Sequence, residues 1–303
     1  MFGLTLATAL GAAIGCGAEV DPTAAGEETA VAEESVGRDA ISGDVLSAIT
    51  PPRYYTVRRD LRRCRHPICG GWYVTEVNAG GRAVYVSTVD LSRAGLGEGQ
   101  LDMLDAPDQD LVLRGMLGVP DEGYQRTFTV LDAYRGMPGF APAPGDGFYT
   151  VRCRTEACRT ATALLVDTTF RDVIDGVSVD RVLAPLVQED WLVDRVVHHD
   201  AVVAGHLSGA MTTNDVVGSV LEASQVFVHL PMTSGPCLLQ HHVCWEGRVP
   251  TFARDADLCL QFEACVDPGI CPMVEPACAE GYRLASWPAG PDGCLAFACD
   301  PAF

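Results

Sequence analysis

The sequence predicts a mainly β chain: two tandem small β-domains, each an OB-like barrel or a sandwich, followed by a disulfide-rich C-terminal region of two short modules. Three observations predict this class. Short alternating apolar segments, separated by glycine-bearing turns, fill residues 54–135. The pattern returns in the next ninety or so residues. Eight of the 13 cysteines then crowd between 237 and 299.

Taken in order, residues 1–15 are apolar or small throughout, too short to span a bilayer but suited to a secretory signal. The run Ala13-Ile14-Gly15-Cys16 resembles the lipobox of bacterial lipoproteins. That resemblance implies a diacylglyceryl group on Cys16 and cleavage before it; Gly17 in place of aspartate implies sorting to the outer membrane. Residues 16–48 then read as lipid anchor and tether. They carry Glu19, Asp21, Glu27, Glu28, Glu33, Glu34, Asp39 and Asp44 against Arg38 alone, and lack aromatics. Such a stretch cannot offset its chain entropy and is expected to be disordered.

The first β-domain is placed at 49–140 and the second at 145–232. Tyr55-Thr56-Val57-Arg58 precedes the pair Cys64/Cys69, and Tyr149-Thr150-Val151-Arg152 precedes Cys153/Cys158. Further on, a constant shift of 90 carries Val89-Asp90 onto Val179-Asp180, Gly115 onto Gly205, and Val130-Leu131 onto Val220-Leu221. Strands are predicted at 54–61, 72–78, 83–90, 110–117 and 126–135. The second copy has helical spacing at Leu183, Leu186, Val187, Trp191 and Val193 between its third and fourth strands. A β-β-β-α-β-β order is that of an OB-like barrel, and a five-stranded sandwich fits almost as well.

The tail, 233–303, repeats at a shift of about 34. Cys237, Cys244, Cys259 and Cys265 form one module (237–265), and Cys271, Cys278, Cys294 and Cys299 the other (271–299). Units this small usually need cross-links. If Cys16 is consumed by lipid, the twelve remaining cysteines pair without remainder, Cys64 with Cys69 and Cys153 with Cys158, and eight within the modules. Connectivity inside each module is left open. Zinc is the rival use of such cysteines, but the tight knuckles that it prefers are absent.

From Tyr54-Tyr55 through Cys64-Arg65-His66-Pro67-Ile68-Cys69-Gly70-Gly71-Trp72-Tyr73-Val74 to Asn78, the sequence resembles an uncharacterised family of lipoprotein domains common in myxobacteria. The likeness covers about 50–138 and rests on a Cys-x4-Cys-Gly-Gly signature. It implies an exported, anchored protein and brings no activity or ligand. The tail is similar in cysteine spacing to small antistasin-type modules of protease inhibitors.

Composition excludes several chemistries. The 21 basic residues are all arginine, so no step that needs a lysine amine is available, and a net charge of −19 argues against nucleic acid as a partner. No catalytic signature is found, and no cofactor or metal is expected. His198-His199 with His206, and His241-His242, are too sparse for a metal site, and Asp105, Asp108 and Asp110 lack the order of a calcium loop. Arg53, Arg58, Arg59, Arg62, Arg63 and Arg65 oppose only Asp60 and form a candidate anion contact centred on Arg58, Arg59, Arg62 and Arg63. A solvated strand edge that discourages pairing is the simpler explanation.

The expected function is that of a non-catalytic outer-membrane lipoprotein, periplasmic or surface-facing, that binds a protein or envelope component. The alternative is an extracellular protease inhibitor acting through a tail loop such as 245–258 or 279–293.

Overall fold

A computed structural model of the chain describes residues 51–63, 69–96, 104, 110–120, 125–153, 158, 160–198, 200–211, 217–230, 237, 242–245 and 247–303. Cys16, the apolar leader, the acidic tether and Cys64 lie outside the described residues.

The first copy contributes β1 (Arg53–Arg59), β2 (Trp72–Glu76), β3 (Val84–Val86), β4 (Thr88–Asp90), β5 (Leu111–Leu117) and β6 (Thr127–Gly136). Alternation puts Tyr55 and Val57 of β1, Val74 of β2, Val86 of β3 and Phe128 and Val130 of β6 into one core. β1 pairs antiparallel with both β2 and β5, β2 with β3, and β5 with β6. After Ser87 the third strand continues as β4, which pairs parallel with β6. That parallel pairing closes a ring in the order β1, β2, β3/β4, β6, β5, the order of an OB barrel. The OB-like option therefore holds over the sandwich.

The second copy repeats the ring with β7 (Gly147–Cys153), β8 (Ala161–Leu165), β9 (Arg171–Ile174), β10 (Gly176–Ser178), β11 (Ala201–Met211) and β12 (Val217–Leu230). β10 pairs parallel with β12, as β4 does with β6. Helix α1 (Glu189–Val197) lies between β10 and β11 and buries Trp191, Leu192 and Val196 in the second core. It begins later than the spacing from Leu183 predicts. Pro185 and the positive φ of Leu186 (67°) hold the preceding residues out of the helix, and Glu189 and Asp190 suit its first turn.

The two barrels do not stand apart. β6 pairs antiparallel with β12, Tyr134 opposite His229 and Gly136 opposite Phe227, so one continuous sheet runs through both copies. A local pseudo-twofold axis passes through the Arg135–Val228 pair. Around it, a third apolar cluster gathers equivalent residues of both copies: Tyr54 with Phe148, Val112 with Val202, Tyr134 with Phe227.

Sheet register also revises the repeat. The bulge between Arg114 and Gly115 recurs between Ala204 and Gly205, which preserves the shift of 90 for β5 and β11. The ladders give 94 for β1 and β7, 88 for β4 and β10, and 93 for β6 and β12. Val130 thus corresponds to Ala223 rather than Val220. Hydrogen-bond register holds the strands in equivalent places while the loops between them differ in length.

In the tail, β13 (Val249–Arg254) pairs with β14 (Leu260–Val266), and β15 (Tyr282–Ala289) with β16 (Cys294–Pro301). Disulfides Cys237–Cys259 and Cys244–Cys265 close the first module, and Cys271–Cys294 and Cys278–Cys299 the second. First pairs with third and second with fourth in both; each bridge contributes about 3 kcal/mol on the chain-entropy estimate. Cys153–Cys158 is bridged, and Cys69 is disulfide-bonded, its predicted partner Cys64 lying outside the described residues.

The tail docks on the second barrel. The Tyr282 hydroxyl donates to the Pro138 carbonyl (3.1 Å), and the Cys299 amide to that of Leu186 (2.9 Å). Burial pushes the Tyr282 phenol up to about 12, so it stays a donor at neutral pH. Arg195, on α1, reaches Asp200 at 3.2 Å and Asp257 of the tail at 2.7 Å.

Candidate functional site

The arginine run meets a group of aromatic rings at one end of the first barrel. β1 pairs with β5 over Arg53–Thr56 and with β2 as far as Arg59, so Arg58 and Arg59 stand past the end of the β5 ladder, where charge also discourages further pairing. Consecutive strand residues point to opposite sides of the sheet, so Arg58 lies over Tyr73 of β2 (5.4 Å) on the outer side and Arg59 over Trp72 (5.7 Å) on the core side, at the end of the barrel. Arg62, in the loop after β1, covers Tyr73 at 5.7 Å and Tyr85 of β3 at 5.9 Å. Those two tyrosines meet edge to face at 5.6 Å. Each exposed cation–ring contact adds about 0.5–1 kcal/mol.

Asp60 fixes the loop. Its buried carboxylate accepts from Arg62 Nε (2.9 Å) and Nη2 (2.8 Å) and from the Arg62 amide. The Arg62 side chain beside it holds the carboxyl below the usual aspartate range. Gly71 must be glycine here, because a Cβ would overlap the Val86 carbonyl, and its amide donates to the Tyr85 hydroxyl at 3.2 Å. Arg63, next in sequence, is exposed, and Arg65 lies outside the described residues. Among the described residues the second barrel has no rings at the equivalent positions. By register, Arg152, Cys153, Ala161, Thr162 and Val173 stand where Arg58, Arg59, Trp72, Tyr73 and Tyr85 stand in the first.

Between the barrels lies a second feature, a polar pocket of about 380 Å³ beside the pseudo-twofold axis. Tyr54 of β1, Arg114 of β5, Asp132 and Tyr134 of β6 and His229 of β12 line it. Arg114 Nη1 binds Asp132 Oδ2 at 2.7 Å, and His229 Nε2 lies 3.5 Å from Asp132 Oδ1. Desolvation raises both phenols above their ordinary value, Tyr134 most, so both hydroxyls stay protonated. Sequence reasoning missed these residues. They come from both copies, and a constant shift of 90 aligns Asp132 with Glu222 instead of its true counterpart, Gln225.

The other candidates are placed as follows. His198 Nδ1 lies 3.0 Å from Asp194, His206 lies between Asp146 and Glu222, and His242 stacks on Phe262. His199, His241, Asp105 and Asp108 lie outside the described residues. Among the described residues no group of three or more such ligands gathers. The recurring Asp110 and Asp200 have a structural role: their carbonyls accept from the Gly136 and His229 amides at 2.8 and 2.7 Å.

Comparison with known proteins gives a family and no activity. An uncharacterised protein of Dictyostelium discoideum is 28% identical over 187 residues, 58% of this chain and 62% of that relative. The matched region thus spans under two thirds of the relative's length. No solved structure matches. A family model matches residues 53–233, both barrels and the join between them, and stops where the tail begins. On that match the chain belongs to DUF6748, a family defined by a domain of unknown function.

Proposed function

We propose that this chain is a non-catalytic envelope lipoprotein, acylated at Cys16 and sorted to the outer membrane, that binds an anionic envelope component through the arginine–aromatic cluster. That cluster is the observation that carries the reading. Arg58, Arg59 and Arg62 lie over Trp72, Tyr73 and Tyr85 in a protein of net charge −19, and among the described residues such a group occurs in the first barrel alone. Planar guanidinium groups suit phosphate or carboxylate, and the rings beneath them hold them in place. In OB folds generally, the face of strands two and three with the loop before them receives extended ligands, which is an analogy of fold alone. The lipobox-like run before Cys16 and the acidic tether to residue 48 support display away from a bilayer.

The test uses the full chain and vesicles containing phosphatidylglycerol or lipopolysaccharide, with neutral vesicles as control. Co-sedimentation with the anionic vesicles is expected to fall with added salt and to weaken at least about tenfold in Arg58→Ala/Arg59→Ala/Arg63→Ala. Equal sedimentation of wild type and triple variant would reject the cluster. Failure of labelled palmitate to enter the chain through Cys16 would reject the anchor.

One observation favours protease inhibition as a second reading. Residues 267–276 lie between β14 and β15 without regular secondary structure, with Ile270 and Met273 fully exposed and Val274 largely so. The disulfide Cys271–Cys294 pins the run, and a groove of about 400 Å³ lies beside it with Leu295 and Phe297. This segment replaces 245–258 and 279–293 as the candidate loop, since those ranges hold much of β13 and β15. The full chain at micromolar concentration is expected to inhibit chymotrypsin or elastase, and Met273→Asp to remove the effect; no inhibition ends this reading.

A further inference from the structure

The pocket between the barrels is where the duplication has been broken. At four pairs of equivalent positions around the pseudo-twofold axis the first copy carries the more polar side chain: Tyr54 against Phe148, Arg114 against Ala204, Asp132 against Gln225, Tyr134 against Phe227; Val112 and Val202 match, and His229 of the second copy answers to Gly136. On the second copy's side Gln225 is fully buried and bonded to the Met137–Phe140 segment, which fills that place. On the first copy's side the corresponding space stays open, at about 380 Å³. A symmetric seam that served only to join two barrels would be apolar on both sides.

We propose that this opening is a binding site for a neutral sugar ring. Three rings line the opening at an angle to one another, Tyr54 to Tyr134 at 5.9 Å and 40°, and Tyr134 to His229 at 5.1 Å and 68°. The half-buried Tyr54 ring offers an apolar face to the C–H side of a pyranose, and the other two present edges and polar tips. The polar groups alternate in kind. Asp132 accepts, Arg114 donates, and the Thr150 and tyrosine hydroxyls do both, which matches hydroxyls that are donors and acceptors at once.

Charge selects against an ion. Arg114 is neutralised by Asp132 at 2.7 Å. Arg152 and Asp200 complete the rim with one charge of each sign. Asp132 nevertheless keeps spare lone pairs, since a carboxylate has about four acceptor sites. The volume sits near the lower end of the roughly 300–1,000 Å³ range for small-molecule sites, room for one or two rings.

The experiment is saturation-transfer NMR and calorimetry on the full chain with glucose, galactose, mannose and N-acetylglucosamine, and with glycine and acetate as charged comparators. At least one sugar is expected to bind and neither comparator to compete with it. Asp132→Asn should weaken that sugar by about tenfold, the loss of one charge-assisted bond. Leu164→Trp, which fills the pocket from β8, should abolish binding, whereas Arg59→Ala in the separate arginine cluster should leave it unchanged. Should Asp132→Asn fail to fold, Leu164→Trp decides alone. No binding by any of the four sugars, tighter binding of glycine or acetate, or binding that survives Leu164→Trp would overturn the proposal. Vesicle binding through the arginine cluster is read separately, so either idea can fail without the other.

Discussion

Gln225→Leu is expected to lower the unfolding free energy by about 4 kcal/mol, since each buried polar group left unpaired costs about 1–3 kcal/mol. Gln225 is fully buried. Its Oε1 accepts from the Met137 amide (3.1 Å) and the Val226 amide (2.8 Å), and its Nε2 donates to the Met137 carbonyl (3.1 Å) and the Phe140 carbonyl (2.8 Å). Leucine fills nearly the same volume and makes none of these bonds, so the loss is one of hydrogen bonding rather than of packing. Urea denaturation followed by circular dichroism checks it: the midpoint should fall while the slope stays constant. A change within about 0.5 kcal/mol would mean that the Met137–Phe140 segment does not depend on this side chain.

Gly205→Ala is expected to cost at least about 3 kcal/mol, the upper range for forcing atoms into a packed interior. The Cβ would overlap the Glu222 carbonyl oxygen at the bulge of β11, and backbone in mid-sheet cannot move aside without breaking ladder bonds. Gly115→Ala meets Thr129 in the same way, so both repeats should respond alike. Gly176→Ala is the control: nothing lies near its Cβ, and the change should stay within about 1 kcal/mol of wild type or be slightly stabilising. Thermal melting of the three variants separates a local clash from a general intolerance of alanine in these strands.

Much of the architecture was legible because period-two alternation is a local signal. Tyr55 and Val57, Leu111 and Leu113, and Phe128 and Val130 alternate inward as their spacing predicts. The confinement of the tail disulfides to each module was also legible, from spacing repeated twice. Which pairing forms inside each module was not, because connectivity depends on how the hairpins fold back. The pairing of β6 with β12 left no mark, since Ala133–Gly136 carries ordinary strand residues whose partners lie some ninety positions on. The arginine run showed as charge alone. Its rings, Trp72, Tyr73 and Tyr85, reach it only through strand pairing. The polar pocket was least legible: its groups lie between 54 and 229, and its asymmetry appears only once the ladders have corrected the alignment of the copies.

The join between the barrels bears on how such a chain could arise. A solitary copy would present the last residues of its sixth strand as an open row of amides and carbonyls, a surface that invites its own duplicate. Two identical copies meeting there would form a self-complementary dimer about the same axis. Joining the two in a single polypeptide makes that encounter intramolecular and frees each half to drift. One ancestral dimer contact then yields a molecule whose two sides need no longer match.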